Sequence, residues 1–192
     1  MFYGELDAKD LTLDGRELSA RLSVPLGRLP DETDECRLKL ADASNAAYSA
    51  VTVDCTSDSD GILRIGDVFL SSSALCKSLD GCKKALLLTV TLGVRSERYL
   101  RACAASSPSL HFITDAVADA MVEAAADEAE KRILGEVKHR ARFSPGYSDL
   151  PLSFTAEILR LTNAKKLMGI TLSDTFLATP SKTVTAIIGL KE

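Results

Sequence analysis

The strongest structural signal in the chain is the segment Asp115-Ala116-Val117-Ala118-Asp119-Ala120-Met121-Val122-Glu123-Ala124-Ala125. Its apolar residues recur at helical spacing, and we predict one long helix from Pro108 to about His139. The alanines allow neighbouring elements to pack closely, which favours a central position for this helix. The predicted buried stripe consists of Ile113, Val117, Met121, Ala124 and Ala125.

The same helix carries an unusual acidic stripe. Its carboxylates recur every four residues, at Asp115, Asp119, Glu123 and Asp127. In this arrangement neighbouring like charges destabilise an isolated helix by roughly 0.3 kcal/mol each. Two interpretations remain open. Either the face is solvated, with Lys131 and Arg132 nearby, or the carboxylates closest to the following loop face a cationic ligand.

The strand signals lie on both sides of this helix. The continuous apolar run at 85–91 is typical of a strand buried on both faces. Residues 49–54 and 62–65 indicate a hairpin joined by a turn at 57–61, and residues 183–190 indicate a final strand. Strands and helices are segregated rather than alternating, so we predict an α+β fold with a mainly antiparallel sheet.

Several shorter helices complete the expected architecture. The first 60 residues are hard to interpret, but they suggest a helix after Asp14 and another over 31–47. Further helices are expected at 71–79, with Ser71 or Ser72 as its cap, and at 95–105 and 153–161. A last one is expected at 163–168, capped by Thr162 and ended by Gly169.

Composition excludes several classes of function. The 192 residues, 46% of them apolar, suffice for one compact core, so we expect residues 1–192 to form a single domain. A net charge of −4 without a basic cluster argues against nucleic acid. No run approaches the roughly 20 apolar residues of a membrane span, and no signal peptide is evident, so we expect a cytoplasmic protein. Neither the cysteines nor the histidines, among them His139 at the expected basic helix end, have metal-ligand spacing.

The loop Arg142-Phe143-Ser144-Pro145-Gly146-Tyr147-Ser148-Asp149-Leu150-Pro151 is the strongest candidate for a ligand contact. Pro145 fixes its own φ, and Gly146 permits a conformation that other residues resist, so Arg142 and Tyr147 are presented from one rigid loop. The alternative is an ordinary connection whose tyrosine packs on the core.

Taken in order, these features resemble the activation domain of cobalamin-dependent methionine synthase. That family carries an Arg-x-x-x-Gly-Tyr loop, matched by Arg142 to Tyr147, after a long acidic, alanine-rich helix. A strand ending in 91–93, a short helix closed by 168–170 and a last strand over 180–186 also match. The resemblance covers roughly residues 61–190, with 61–192 as the activation-domain-like core and 1–60 as the less readable part.

The resemblance implies a domain that binds S-adenosylmethionine and supports reductive methylation of cobalamin held by a partner protein. Arg142 would pair with the ligand carboxylate, and Glu123 would hold the ammonium or a ribose hydroxyl. Ser144, Gly146 and Tyr147 occupy the remaining loop positions, and no residue of this chain is assigned a catalytic role. The implied partner is a separate methionine synthase or corrinoid protein, and a flavodoxin-like protein is a candidate electron donor.

The chain also departs from the family pattern. No aromatic residue follows Phe176, where the family carries a tyrosine pair at the ligand, and residues 1–30 offer no equivalent of its ligand-binding aspartate. The cobalamin-ligating motif Asp-x-His-x-x-Gly is absent. We therefore expect a free-standing activation domain, for which an enzymatic activity of its own is left open. The alternative is a non-catalytic docking protein for a corrinoid protein, without S-adenosylmethionine. The surface at 148–149 and the exposed end of the acidic helix are the expected docking contact.

Overall fold

A computed structural model describes residues 1–57 and 62–191. The described residues form eight strands: β1 (Phe2–Glu5), β2 (Ala47–Ser57), β3 (Ile62–Ile65), β4 (Val68–Ser71), β5 (Lys84–Thr91), β6 (Thr171–Leu172), β7 (Ala178–Thr179) and β8 (Thr183–Leu190). They also form seven helices: α1 (Gly15–Arg21), α2 (Thr33–Ala43), α3 (Ser73–Ser78), α4 (Gly93–Ser106), α5 (Pro108–Leu134), α6 (Phe154–Leu161) and α7 (Ala164–Met168). In this part of the chain no helix is both long and apolar enough to cross a membrane.

The main sheet is antiparallel throughout, in the order β4-β3-β2-β5-β8. The long strand β2 has two partners on the side away from β5, with β1 along its first residues and β3 along its last. Strands β6 and β7 form a separate hairpin. The predicted α+β class and the β2–β3 hairpin are therefore confirmed. Residues 58–61 of its predicted turn lie outside the described part of the chain.

Strand β5 is buried on both faces because two hydrophobic cores meet on it. Leu86, Leu88 and Val90 belong to the first core, which lies under helices α1, α2, α4 and α5. Ala85 and Leu87 belong to the second core, which includes side chains of α3 and α6. The alternation of side chains along a strand thus explains the continuous apolar run at 85–91.

Helix α5 is the central helix, as predicted. Its 27 residues follow the N-cap, Ser107, whose hydroxyl accepts a hydrogen bond from the amide of Leu110 at 3.4 Å. Val117, Met121 and Ala125 are fully buried. The helix is also buried beyond the predicted stripe because α1, α2 and α4 pack against it as well as β5. The additional buried side chains include Ala116, Ala118, Ala120, Val122, Ala126 and Ala129.

The predicted end of this helix is wrong. It ends at Leu134, because Gly135 adopts φ +51°, and not near His139. His139 instead forms a β-bridge with Leu190 at the edge of β8. His139, which was expected at the basic end of the helix, therefore lies outside it.

Two other boundaries differ from the predictions made from the residues. Helix α2 ends at Ala43 rather than at Ala47, because Ala47 pairs with both β1 and β5 as the first residue of β2. Strand β4 was not predicted. Because Ser71 is its last residue, Ser72 and not Ser71 is the N-cap of α3. The last strand covers Thr183–Leu190, as its residues predict, whereas the span 180–186 implied by the family resemblance begins too early, because residues 180–182 lie in a loop.

The predicted cap of α7 is also wrong. Asn163, at φ +55°, occupies the N-cap position and makes no side-chain capping bond. Thr162 is buried, and its hydroxyl donates to the carbonyl of Ile158 at 2.7 Å and lies 3.0 Å from the hydroxyl of Thr89. Gly169 ends the helix at φ +70°, as predicted. The helix after Asp14 and those expected near 95–105 and 153–161 are confirmed.

Candidate functional site

The loop after α5 is anchored to the edge of β8. Phe143 exchanges two backbone hydrogen bonds with Ile187, at 2.9 and 2.8 Å, and the amide of Arg140 donates to the carbonyl of Gly189 at 2.8 Å. The Phe143 ring packs against the second core. Side chains alternate along an extended segment, so Arg142 points the other way, toward α5.

Arg142 forms ion pairs with three carboxylates of α5. Its Nη1 donates to Asp127 at 2.6 Å and to Glu130 at 3.1 Å, and its Nη2 donates to Glu123 at 3.2 Å. Only 21% of the Arg142 side chain is exposed. Burial lowers the pKa of this guanidinium, but the bond to Asp127 and the surrounding carboxylates outweigh burial and raise the pKa above its ordinary value. Arg142 is therefore a permanent cation fixed against the acidic helix.

The rest of the acidic stripe has cations of its own. The ammonium of Lys182 lies 2.8 Å from Asp115 and 2.6 Å from Asp119, and Arg21 lies 3.0 Å from Asp119. Arg132, which was expected beside the stripe, pairs instead with Glu128 at 2.7 Å. The stripe is thus paired with cations that are distant in sequence, while its carboxylates remain partly solvated, Asp127 most of all with 71% of its side chain exposed.

A cleft of about 470 Å³ lies where the loop meets α5, and we call it the charged cleft. It brings together four of the five residues singled out from the sequence: Glu123, Arg142, Ser144 and Tyr147. The other side chains at its wall are Asp127, Glu130, Ala141, Phe143 and Val184. Of these, Asp127 was noted in the stripe, whereas Glu130 was not anticipated because it breaks the four-residue spacing.

Gly146, the fifth predicted residue, does not line the charged cleft. Its φ of +89° is a conformation that favours glycine, and its amide donates to the carbonyl of Leu150 at 2.9 Å. This turn presents Tyr147, whose side chain is an exposed wall of the cleft with 68% of the residue accessible. The alternative in which this tyrosine packs on the core is therefore wrong.

Asp149 ties the loop to the start of α3. Its Oδ1 accepts from the Ser72 hydroxyl at 2.5 Å and from the amide of Ala74 at 3.2 Å. Its Oδ2 accepts from the amide and hydroxyl of Ser73 at 2.6 and 2.8 Å. Hydrogen bonds from the hydroxyls of Ser72 and Ser73 hold the pKa of this carboxylate well below its usual range. The carboxylate expected on a docking surface is thus engaged within the chain.

A second cleft of about 310 Å³ adjoins the first, and we call it the aromatic cleft. The two share Glu123, Ser144, Tyr147 and Val184. Its remaining wall consists of Pro145, Leu152, Thr155, Phe176, Leu177, Ala178, Ser181, Thr183 and Thr185. Sequence reasoning missed this cleft, because its residues come from the β6–β7 hairpin, β8 and the start of α6, and their approach depends on the tertiary fold.

Metal-binding side chains do not cluster in the described residues. Within them, no group of three or more His, Cys, Asp or Glu side chains is arranged to hold a metal ion. His139 lies 3.2 Å from Glu130 at the edge of the charged cleft, and His111 lies in the first turn of α5. The described walls of the charged cleft supply paired charges, a phenol and a hydroxyl group.

Comparison with known proteins identifies the fold. No protein-family model matches the chain, and no curated protein matches its sequence. The structure is similar to a crystal structure of the MetH reactivation domain bound to AdoHcy, with a TM-score of 0.74 at 15% sequence identity. The match covers 98% of this chain and 77% of that one. The chain therefore has the fold of a methionine synthase reactivation domain, as its sequence motifs predict.

Proposed function

We propose that this chain binds S-adenosylmethionine in the charged cleft and serves as a reactivation module for a separate cobalamin-binding protein. The observation that carries the proposal is the meeting of Arg142, Glu123 and the exposed Tyr147 in one cleft. The shared fold supports it, since the similar MetH domain was crystallised with AdoHcy.

The charges of the cleft suit this ligand. S-adenosylmethionine carries an ammonium, a sulfonium and a carboxylate, so its amino-acid end has one net positive charge. Glu123, Asp127 and Glu130 face a single guanidinium, which leaves an excess of negative charge in the cleft. Opposite charges attract most strongly where water is partly excluded, as it is at Glu130, whose side chain is only 15% exposed. The cleft therefore favours a cation that also carries a carboxylate.

Arg142 retains donors for the ligand carboxylate. Its bonds to α5 come from Nη1, which makes two, and from Nη2, which makes one. Among the described contacts Nε makes no bond, and Nη2 has two hydrogens for its one bond. Nε and Nη2 lie on one edge of the planar guanidinium. That edge is suited to a two-pronged bond with a carboxylate. We infer that the α5 carboxylates orient Arg142 and that its free edge binds the ligand.

The other predicted residues have distinct roles in this proposal. Glu123 lies at the junction of both clefts, where it reaches the ligand ammonium or a ribose hydroxyl. The face of Tyr147 can stabilise a sulfonium through its π electrons. Ser144 contributes mainly backbone contacts, and Gly146 sets the turn that places Tyr147.

The partner supplies the reactive centre. A cobalamin held by a methionine synthase or corrinoid protein would be reduced by one electron from a donor such as a flavodoxin-like protein. It would then accept the methyl group as the S–CH3 bond of the sulfonium breaks and S-adenosylhomocysteine leaves. This chain would contribute position and electrostatics, by holding the sulfonium methyl at the mouth of the cleft and excluding water from it.

One observation favours a second function. Arg142 already has three carboxylate partners within the chain, so its positive charge is neutralised without a ligand. A docking protein that keeps the fold for a corrinoid partner and binds no S-adenosylmethionine would show the same contacts.

Calorimetric titration separates the two functions. We expect S-adenosylmethionine to bind the isolated chain with one-to-one stoichiometry, and we expect cobalamin to bind tightly only after a cobalamin-binding partner is added. Remethylation in the mixture with a reductant should then depend on S-adenosylmethionine. A chain that binds the loaded partner but never S-adenosylmethionine would be the docking protein, and tight cobalamin binding by the isolated chain would contradict both functions.

A further inference from the structure

Two free thiols lie together where α3 leads into β5. Cys82 is in the turn between these elements, and its amide donates to the carbonyl of Leu79 at 2.9 Å. Cys55 lies near the end of β2, and its thiol donates to the carbonyl of Cys82 at 3.3 Å. Both cysteines are reduced in the structure, and both side chains contact the second core.

The two thiols differ in access and in ionisation. Cys82 is partly exposed, so a reagent in solution reaches it, whereas Cys55 is only 2% exposed. Burial, with a smaller contribution from the neighbouring Cys82, raises the pKa of the Cys55 thiol to about 11. Because the thiolate is the nucleophile, Cys55 is inert toward a reagent until that reagent has been attached beside it. Cys82 is therefore the thiol that reacts first.

A cation with an unused hydrogen-bond donor lies beside Cys82. A Cβ placed on Gly189 of β8 would be 2.8 Å from Sγ of Cys82 and 3.2 Å from Cγ of Arg140, so these two side chains meet above the glycine. Nη2 of Arg140 donates to the carbonyl of Asp80 at 2.7 Å. Its Nε is buried and has no hydrogen-bond partner in the described part of the chain. A buried donor without an acceptor is costly, and a thiolate formed at Cys82 offers both an acceptor and the opposite charge.

Lysines from three neighbouring segments gather at the same end of the sheet. Lys84 of β5 pairs with Leu190 of β8, and Leu190 pairs in turn with His139. The amide of Lys191 donates to the carbonyl of Lys138 at 2.9 Å. Adjacent strands are about 4.8 Å apart, so these lysines lie close together although they are far apart in sequence. This end of the sheet is thus rich in positive charge in a chain whose net charge is −4.

We propose that Cys82 and Cys55 form a dithiol site that reacts with small anionic disulfides of the glutathione type. The Cys82 thiolate attacks one sulfur of the reagent, which forms a mixed disulfide, breaks the S–S bond of the reagent and expels the first thiolate. Cys55 then gives up its proton and attacks Sγ of Cys82, which closes an internal disulfide and expels the second thiolate. The two expelled thiolates take up the two protons that the cysteines lose. Two protein thiols are thereby oxidised while one disulfide is reduced to two thiols.

This inference is independent of the proposed function. Neither cysteine lines the charged cleft, and neither does Arg140. A chain that binds no S-adenosylmethionine could still carry the dithiol site, and the reverse also holds.

The test treats the reduced full chain with oxidised glutathione at neutral pH and follows it by intact mass and peptide mapping. The wild type should lose two hydrogens, keep no adduct and show a link between Cys55 and Cys82. Cys55→Ser should retain one glutathionyl group on Cys82, and Cys82→Ser should form neither product. Cys103→Ser, which removes a buried thiol of α4, is the control and should behave like wild type.

Three results would overturn the dithiol site. They are an adduct that persists on Cys82 in the wild type, reaction mainly at Cys76, which is the other partly exposed thiol, and unchanged oxidation of Cys82→Ser. Melting temperatures report whether each variant folds.

The role of the positive charge is tested with a pair of reagents. Rates with oxidised glutathione, which is anionic, and with cystamine, which is cationic, are each divided by the rate of the same reagent with a small free thiol. The anionic reagent should be favoured roughly tenfold at low salt, and added salt should reduce this preference. Arg140→Gln should slow the reaction of Cys82 with glutathione roughly tenfold, and Arg140→Lys should restore most of the rate. Equal corrected rates for the two reagents, or an Arg140→Lys variant as slow as Arg140→Gln, would overturn the preference for anionic disulfides.

Discussion

The acidic stripe of α5 has two halves. Their carboxylates have the same four-residue spacing, but the two halves pair with different cations and only the second lines a cleft. In the first half, Asp115 and Asp119 hold Lys182, whose side chain is only 11% exposed, and neither carboxylate lines a cleft described above. In the second half, Glu123 and Asp127 hold Arg142 at the wall of the charged cleft. The same pattern of carboxylates therefore joins the loop before β8 to the helix at one end and lines a candidate ligand site at the other.

The first half should contribute mainly to stability. Replacing Lys182 with methionine leaves Asp115 facing no other cation described here and leaves Asp119 with Arg21 alone. We expect the free energy of unfolding in urea to fall by about 2 kcal/mol, less than for a fully buried pair because both carboxylates are partly exposed.

Lys39→Met is the matched control for this change. Lys39 pairs with Glu35 on the surface of α2, where both side chains are more than half exposed, so its loss should change the stability far less than the loss of Lys182. If the two variants lose the same stability, Lys182 is an ordinary surface cation. A large loss of ligand affinity in Lys182→Met at unchanged stability would contradict the division of the stripe.

The second half should contribute mainly to binding. Arg142→Lys keeps a cation near the carboxylates but loses the planar edge that pairs with a ligand carboxylate. We expect the dissociation constant for S-adenosylmethionine to rise roughly tenfold, with a smaller change in melting temperature. Arg160→Lys is the control, because Arg160 also pairs with two carboxylates, Asp67 and Glu157, but lines neither cleft. Unchanged affinity with a large fall in melting temperature would show a structural arginine.

Sequence reasoning succeeded where the signal is local. The apolar run of β5 and the helical spacing of α5 are patterns of neighbouring residues, and each predicts its own element. Both elements are confirmed. It failed for the partners of the stripe, since Lys182 is 63 residues and Arg21 is 98 residues from Asp119. Which cation meets which carboxylate depends on the packing of α1 and β8 against α5, and no local pattern reports it.

The candidate site shows the same division. Arg142, Gly146 and Tyr147 could be singled out because a proline, a glycine, a cation and a phenol lie within one short loop. Phe176 could not be placed in the adjoining cleft from the sequence, because its approach to Tyr147 follows from the docking of the β6–β7 hairpin. The contact between Asp149 and Ser72 spans 77 residues and was likewise not predictable.

A pair of isosteric changes tests the boundary between the halves. Glu123→Gln removes a negative charge at the junction of the two clefts and should weaken S-adenosylmethionine binding roughly fivefold, or about 1 kcal/mol. Asp119→Asn removes the same charge one helical turn earlier, beside Lys182, and should leave affinity unchanged. Calorimetry on the two proteins gives the comparison directly. An equal loss of affinity in the two variants would mean that the stripe acts on the ligand through its overall electrostatic field and not through two separate halves.

The smallest expected effect concerns Asp149, which holds the loop of the second half from outside the cleft. Asp149→Asn keeps the shape but places an amide where a carboxylate accepts four hydrogen bonds, so the amides of Ser73 and Ala74 should exchange faster with solvent. Because the loop then presents Tyr147 less uniformly, affinity for S-adenosylmethionine should fall only about two- to threefold. Asp174→Asn, at an exposed position in the β6–β7 turn, is the control.

The pH dependence of this contact has a defined sign. The pKa of Asp149 in the folded chain lies below its ordinary value of 3.8, because the Ser72 and Ser73 hydroxyls hydrogen-bond to the ionised form. Its stabilising contribution is therefore fully present above the unfolded pKa and is lost as pH falls through the folded pKa. Once intrinsic exchange rates are corrected, protection of the Ser73 and Ala74 amides in wild type should be constant from neutral pH down to about pH 4. Protection lost well above that pH would show that the carboxylate is not the group that holds the loop, whereas the Asn variant should be poorly protected throughout.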